Sequence, residues 1–185
     1  MKNIFFLLIV LLPAKLSAQS QREIADRKIN SAEMTTIDFR KSEGSFRHTK
    51  NFYDAHGNII ELLEFDKNGN KIRWEKFSFN SHDDETTWMQ LDTSGKTIKS
   101  SKTEYDKWNE ITVKTFFDSN GNLTEKTIYT YNSSNDIVSE QTTDASGLII
   151  RRTEYTYDSK GMLLSKKIYN SKNEIIYSKE NVYTY

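Results

Sequence analysis

The sequence of 185 residues contains no cysteine, only one proline and only three histidines. Without cysteine the chain can form no disulfide, no zinc–thiolate site and no thiol nucleophile. It also lacks an excess of either charge, because 26 basic residues balance 26 acidic ones. Nucleic-acid-binding proteins carry a basic face, so this balance gives no reason to expect a nucleic-acid partner. We expect neither a metal nor a cofactor.

Long hydrophobic runs are also absent, with one exception at residues 4–12, IFFLLIVLL, which precede the small residue Ala18. A run of this length after a basic residue predicts a secretory signal peptide over residues 1–18, because it is too short to span a bilayer. We therefore expect an exported protein, in the periplasm, on the cell surface or outside the cell, and not a lipoprotein. Residues 19–36 are predicted to be disordered or a short helix, ahead of a repeat domain over residues 37–185.

What the sequence does have is a repeat of regular spacing. A residue that is usually aromatic, the anchor, precedes Asp or Asn ten times, at intervals that alternate between 12 and 14 residues; the anchors are Tyr53, Phe65, Phe79, Leu91, Tyr105, Phe117, Tyr131, Thr143, Tyr157 and Tyr169. Four positions after each anchor stands Gly, Asn or Asp, the types that tolerate positive φ. The repeat turn residues that we single out are Asp54, Gly57, Asp66, Gly69, Asp92, Gly95, Asp118, Gly121, Asp158 and Gly161.

The stretch FDSNGNL at residues 117–123 resembles the start of an EF-hand calcium loop. An EF-hand loop needs Gly at position 6 and Glu at position 12, whereas counting from Asp118 gives Leu123 and Tyr129. A hairpin with a three-residue loop explains the same letters. The Asp side chain accepts backbone N–H groups, two right-handed residues follow, and Gly takes the left-handed position.

A turn every 12 or 14 residues leaves strands of roughly 8–10 residues, and these segments are rich in Thr, Ile, Tyr and Phe. The pattern predicts an all-β fold, an antiparallel meander of about eleven short strands joined by D-x-x-G hairpin turns. Hydrophobic residues make up only 36% of the chain, which is little for a two-layer core. We therefore expect a curled or spiralling single repeat sheet.

The turn geometry also predicts the pairing next to each turn. Each anchor should face the residue two positions after the Gly, which gives seven pairs with an aliphatic partner: Tyr53–Ile59, Tyr105–Ile111, Phe117–Leu123, Tyr131–Ile137, Thr143–Ile149, Tyr157–Leu163 and Tyr169–Ile175. Three consecutive turns give polar partners instead, in Phe65–Lys71, Phe79–Glu85 and Leu91–Thr97. Because both intervals are even, we expect every anchor on one face of the sheet.

The tryptophans are the candidate ligand surface. The predicted register makes Trp74 and Trp88 diagonal neighbours on one face, about 7–8 Å apart, and Trp108 lies in a turn. Exposed aromatic side chains suit sugar rings or a protein hot spot. The alternative is that Trp74 and Trp88 fill the core.

Three segments resemble the YD repeats of the Rhs family: YTYDSKGMLLSKKIY (155–169), FDKNGNKI and FFDSNGNLTEKTIYTYN. The resemblance covers about residues 50–185, with units shorter than those of the large family members. It implies a long spiralling sheet of hairpins, which in large members forms a shell around a toxin domain. It also implies a link to carbohydrate binding.

These observations predict an exported, non-enzymatic repeat protein that binds or scaffolds an envelope protein or a glycan. The last strand is expected to leave an open edge, at which another copy could pair. Two alternatives remain open. A small outer-membrane β-barrel would explain export and alternation, although charges stand near mid-strand on both faces. A hydrolase is less expected, because no nucleophile–base set is evident.

Overall fold

The computed structural model describes residues 18–38 and 45–184 as a short helix and one sheet of twelve strands. The elements are α1 (Ala18–Asp26), β1 (Ser31–Asp38), β2 (Ser45–Tyr53), β3 (Ile59–Phe65), β4 (Lys71–Phe79), β5 (Glu85–Leu91), β6 (Thr97–Tyr105), β7 (Ile111–Phe117), β8 (Leu123–Tyr131), β9 (Ile137–Asp144), β10 (Ile149–Tyr157), β11 (Leu163–Asn170) and β12 (Ile175–Glu180). Neighbouring strands follow chain order, so the predicted all-β antiparallel meander is confirmed. Residues 1–17 of the predicted signal peptide lie outside the described residues.

The sheet has one strand more than the turn count predicted. The ten turns delimit β2–β12, and β1 pairs with β2 from Ser31 opposite Phe52 to Asp38 opposite Ser45. No D-x-x-G signal separates β1 from β2 in the sequence. The sheet therefore begins within the segment 19–36 that the sequence left without a clear period, and α1 occupies the start of that segment.

All ten turns have the predicted three-residue geometry. In the first, the Asp54 N–H donates to the Asn58 carbonyl at 3.0 Å, and the Gly57 N–H donates to the Asp54 carbonyl at 3.1 Å. The Asp54 carboxylate accepts the N–H groups of His56 and Asn58, both at 2.9 Å. Each turn places its fourth residue at positive φ, namely Gly57, Gly69, Asp83, Gly95, Asn109, Gly121, Asn135, Gly147, Gly161 and Asn173. The side-chain acceptor thus fixes each bend locally.

A β-bulge follows every one of these turns. Each anchor pairs as predicted, including the three anchors with polar partners. The register then shifts: Tyr53 pairs with Ile59, but Phe52 pairs with Glu61, so Ile60 is an extra residue on its strand. The same shift occurs after the other nine turns. One inserted residue reverses the alternation of side chains along the following strand.

The prediction that every anchor lies on one face is therefore wrong. Because each bulge reverses the alternation, the anchors take the two faces in turn. One set lies beside the turns that follow β2, β4, β6, β8 and β10, and we call this side of the sheet the tyrosine edge. The face on which this set lies is called the inner face, and its members are Tyr53, Phe79, Tyr105, Tyr131 and Tyr157. The other set lies beside the turns on the opposite side of the sheet, which we call the far edge. It occupies the opposite, outer face, and its members are Phe65, Leu91, Phe117, Thr143 and Tyr169.

Burial in the described strands is concentrated on the inner face and is mostly polar. With the exception of Leu91, the buried strand residues all lie on it: Thr49, Tyr53, Leu62, Glu64, Glu75, Ser101, Thr103, Thr127, Thr142 and Thr153. Cross-strand hydroxyls pair there, as between Thr127 Oγ1 and Thr142 Oγ1 at 3.0 Å. A sheet with so little buried hydrocarbon depends on its turns and hydrogen bonds for order.

Two carboxylates on the inner face are buried beside two arginines. Arg73 donates to both oxygens of Glu75, at 2.9 Å and 2.8 Å, and Arg47 Nε lies 2.7 Å from Glu64 Oε1. Hydrogen bonding to Glu75 raises the pKa of Arg73. This bidentate geometry fixes the orientation of the guanidinium. The cluster couples β2, β3 and β4 through charge rather than apolar packing.

Candidate binding groove

The tyrosine anchors connect successive hairpins through their hydroxyl groups. Three of them, and Tyr183 beyond the last strand, donate to the main-chain carbonyl 20 residues earlier, on the previous hairpin: Tyr105 to Glu85, Tyr131 to Ile111 and Tyr157 to Ile137, all at 2.8 Å, and Tyr183 to Leu163 at 3.1 Å. We call this set the tyrosine ladder. Phe79 occupies the equivalent position of an earlier hairpin, but it has no hydroxyl to donate. The ladder leaves the aromatic rings lying across the inner face.

A groove of about 550 Å³ runs along the tyrosine edge, across four hairpins from β2–β3 to β8–β9. Its aromatic lining is Phe77, Phe79, Tyr105 and Tyr131, and its aliphatic lining is Ile59, Ile111 and Ile137. These aliphatic residues are the predicted partners of the anchors, so one repeated position supplies them. A groove of this size matches the volumes of ligand sites in proteins, which run from roughly 300 to 1,000 Å³.

Side-chain hydrogen bonds between neighbouring turns build the rim of the groove. Asn58 Nδ2 donates at 2.9 Å to Asp83 Oδ1, which belongs to the next turn at the tyrosine edge, and Asn80 Nδ2 donates to Asn109 Oδ1 at 3.2 Å. Asn109 Nδ2 also donates to the carboxylate of Asp84. The helix joins this network, because the Gln21 side-chain amide donates to Asn58 Oδ1. The rim is thereby held in place before any ligand arrives.

The groove is electrostatically negative. Burial raises the pKa of Tyr105 to about 12, and the charges of Asp84 and Glu85 add to the shift. Burial raises the pKa of Tyr131 as well, with the charge of Glu110 next in importance. Negative neighbours oppose ionisation of a phenol, so these carboxylates add to the effect of burial.

The structure separates the three tryptophans. Trp88 pairs with Phe77 and lies on the inner face, whereas Trp74 pairs with Leu63 and lies on the outer face. The prediction that Trp74 and Trp88 share a face is therefore wrong, and the bulge between them is the reason. Trp108 is 65% exposed in a turn at the tyrosine edge.

A lysine ammonium lies near the ring of each tryptophan. The Nζ–centroid distances are 3.5 Å for Lys71 over Trp74, 5.2 Å for Lys99 over Trp88 and 4.0 Å for Lys107 over Trp108. The indole N–H of Trp74 also donates to Glu61 Oε1 at 2.6 Å. The three tryptophans thus take part in separate cation–π contacts and form no common surface.

A second cavity, of about 420 Å³, lies on the outer face at the far edge. Its apolar surface comes from Phe46 and Phe65, and the ring of His48 lies 5.8 Å from that of Phe65. Lys50 Nζ forms an ion pair with Glu33 at 2.9 Å on its border. This cavity draws on fewer hairpins than the groove at the tyrosine edge.

Residues 18–38 and 45–184 contain neither a cluster of metal ligands nor a membrane-spanning helix. No group of three or more His, Asp or Glu side chains in these ranges could hold a metal ion. None of the helical residues in the same ranges forms a helix long and apolar enough to cross a membrane.

The groove was not predicted from the sequence, although a signal for it was present. Taking only every second anchor leaves a spacing of 26 residues, and this subset reads Tyr53, Phe79, Tyr105, Tyr131, Tyr157 and then Tyr183. The remaining anchors are chemically mixed. The near-uniform tyrosine subset marks the edge at which the rings line one surface.

Comparison with known proteins identifies no family for the chain. No family model and no curated protein matches it. A porin-like protein from Bacteroides uniformis is similar in structure, with a TM-score of 0.49 and 14% identity over 79% of this chain and 74% of that chain. The Tc holotoxin pore of Photorhabdus luminescens gives a TM-score of 0.44 and 10% identity, over 80% of this chain and 9% of that chain. The resemblance to YD repeats thus stays a prediction.

Proposed function

We propose that this chain is an exported, non-enzymatic β-repeat module of the cell envelope or its surroundings, which binds a protein or a glycan in the groove at the tyrosine edge. The observation that supports it most is the groove itself, where four hairpins contribute aromatic rings, amides and carboxylates to one concave surface. Such a mixture of apolar walls and a few polar groups is typical of ligand sites. The predicted signal peptide over residues 1–18 supports export.

The groove is preorganised, which favours binding. The tyrosine ladder and the turn-to-turn bonds of Asn58 and Asn109 fix its walls and rim in the unliganded chain. Binding then costs little ordering of side chains. The lining offers acceptors, amide donors and ring faces, and we include no catalytic step in the proposal.

Affinity capture from native envelope extract tests the proposal, with parallel binding to a glycan array. Phe79→Ala removes a groove wall, and Phe117→Ala, an anchor on the outer face at the far edge, is the matched control. We expect wild type and Phe117→Ala to retain one partner or glycan class that Phe79→Ala loses, while circular dichroism shows all three folded. Equal retention by the two variants would remove the groove from the proposal.

A further inference from the structure

One hairpin departs from the repeat at the centre of the groove. Where the neighbouring hairpins place Ile59, Ile111 and Ile137, the hairpin β4–β5 places Glu85. It also carries Asp83 at φ 62, in a position that other turns give to Gly or Asn. Asp83 and Glu85 thus stand where the neighbouring hairpins place Gly or Asn and an aliphatic residue, and Asp84 between them makes three consecutive acids.

These departures carry a local energetic cost. An aspartate at positive φ is strained by comparison with glycine, and a carboxylate that replaces a cross-strand aliphatic residue gives up apolar pairing. Residues that break a local rule within an otherwise consistent repeat are expected at functional sites. The comparison is internal to this chain, since the other four turns of the tyrosine edge show which residues the fold alone requires there.

The result is a charge imbalance within an otherwise neutral protein. Four carboxylates line the groove, those of Asp83, Asp84, Glu85 and Glu110, and they face the single ammonium of Lys114. Lys114 lies 3.8 Å from Glu85. Equal numbers of acidic and basic side chains in the whole chain make this local excess a property of the site.

The aromatic walls of the groove favour a cationic ligand, as its carboxylates do. The rings of Phe77, Phe79, Tyr105 and Tyr131 present π-faces, which attract cations. Asp84 and Glu85 already lie where a cation would gain charge-assisted hydrogen bonds. A cationic ligand would offset the excess negative charge of the groove, which an anionic or purely apolar ligand would not.

We propose that the groove binds a basic segment of a partner polypeptide, with lysine or arginine side chains placed between the aromatic walls and the carboxylates of Asp84, Glu85 and Glu110. This inference rests on the proposed binding function and names its partner class. The groove's volume accommodates side chains of that size, and its length across four hairpins fits an extended segment.

Titration calorimetry with the full chain and a trilysine peptide tests this inference. The probe is compared with the same peptide acetylated at its side-chain amines. The groove variant is Asp84→Asn with Glu85→Gln, and the matched control is Glu125→Gln with Asp144→Asn, a cross-strand acidic pair at the far edge. All four substitutions preserve shape and remove only charge.

We expect wild type and the control to bind trilysine, the groove variant to bind about tenfold more weakly, and added salt to weaken binding further. The acetylated peptide should not bind. Equal binding of both peptides, equal loss in both variants, or no binding of trilysine to wild type would overturn the inference. Wild type could fail to bind trilysine while, in the affinity capture, Phe79→Ala still loses the envelope partner that wild type retains. In that case the proposed function stands and only the basic partner is excluded.

Discussion

The two edges of the sheet use the same hairpin turn with a three-residue loop, yet they present their anchors to opposite faces. At the tyrosine edge the rings lie on the inner face, and their hydroxyls connect each hairpin to the one before it. At the far edge the anchors lie on the outer face, where Phe117 pairs with Leu123 and Tyr169 with Ile175. The difference shows how one extra residue per turn places the anchors of the two edges on opposite faces, so that only one face receives the row of tyrosines.

The two edges also differ in the direction in which pH should act on them. Hydrogen bonds within the turns lower the pKa values of four far-edge aspartates, Asp66, Asp92, Asp118 and Asp144. Burial raises the pKa values of three tyrosine-edge phenols, Tyr105, Tyr131 and Tyr157. Acid should therefore weaken the far edge, and alkali should weaken the tyrosine edge.

The largest expected difference between the edges comes from glycine substitution. Gly57 and Gly121 have φ of +82° and +80°, so alanine at either position costs about 1–2 kcal/mol. A Cβ at Gly57 would also collide with the main-chain carbonyl oxygen of Gln21 in α1, which brings its total to about 2–4 kcal/mol. Urea unfolding of Gly57→Ala and Gly121→Ala measures both, and equal losses would show that α1 does not pack on the edge.

Single substitutions can remove one hydroxyl from the tyrosine ladder or add one to it. Tyr131→Phe removes the hydrogen bond to the Ile111 carbonyl and should lower the free energy of unfolding by about 1 kcal/mol. Phe79→Tyr adds a hydroxyl at the vacant ladder position and should raise it by up to about 1 kcal/mol. Tyr177→Phe, on the exposed last strand, is the control and should change little. Opposite signs for the first two variants are the diagnostic result.

The alkaline response of the tyrosine edge follows from Tyr105. Its folded pKa is about 12 against an ordinary value of 10.0, so the protonated phenol is favoured by folding. Its contribution is complete below pH 10 and is lost as the pH rises towards 12. The melting temperature of wild type should fall more steeply over this pH range than the melting temperature of Tyr105→Phe. Parallel curves for the two proteins would contradict the assignment.

The smallest expected effect is the acid response of a far-edge turn. The N–H and side-chain amide of Asn122 lower the pKa of Asp118, so this turn is stabilised above about pH 4 and loses that contribution as the pH falls. Asp118→Asn keeps the acceptor oxygen but cannot titrate. Amide protection of Asn120 and Asn122 should fall between pH 5 and pH 3 in wild type and stay constant in the variant. Asn132, the natural amide at the tyrosine edge, gives an internal reference.

The turns and the pairing beside them could be predicted because each is encoded locally. A side-chain acceptor such as Asp118 and a residue tolerant of positive φ such as Gly121 specify the bend, and the bend specifies which residue faces Phe117. Strand β1 could not be predicted in the same way, because the sequence between it and β2 carries no such signal. The evidence for β1 is its pairing with β2, which extends from Ser31 opposite Phe52 to Asp38 opposite Ser45.

The faces could not be assigned because counting by twos assumes an unbroken strand. The bulge opposite Tyr53 adds one residue, which does not alter the spacing of the anchors in the sequence but reverses the face of every residue beyond it. Such bulges separate Trp74 from Trp88, and they move the intervening anchor Phe117 to the face opposite Tyr105 and Tyr131. The groove depends on this alternation of faces, which the anchor spacing alone does not specify.

Disulfide formation between introduced cysteines tests the bulge most directly, because the chain has no cysteine of its own. In the structure Gln141 pairs with Arg152, whereas a hairpin without a bulge would pair Gln141 with Arg151 on the opposite face. We expect Gln141→Cys with Arg152→Cys to cross-link under mild oxidation, and Gln141→Cys with Arg151→Cys to remain reduced. Cross-linking of the second pair and not the first would contradict the alternation of faces on which the tyrosine edge and its groove depend.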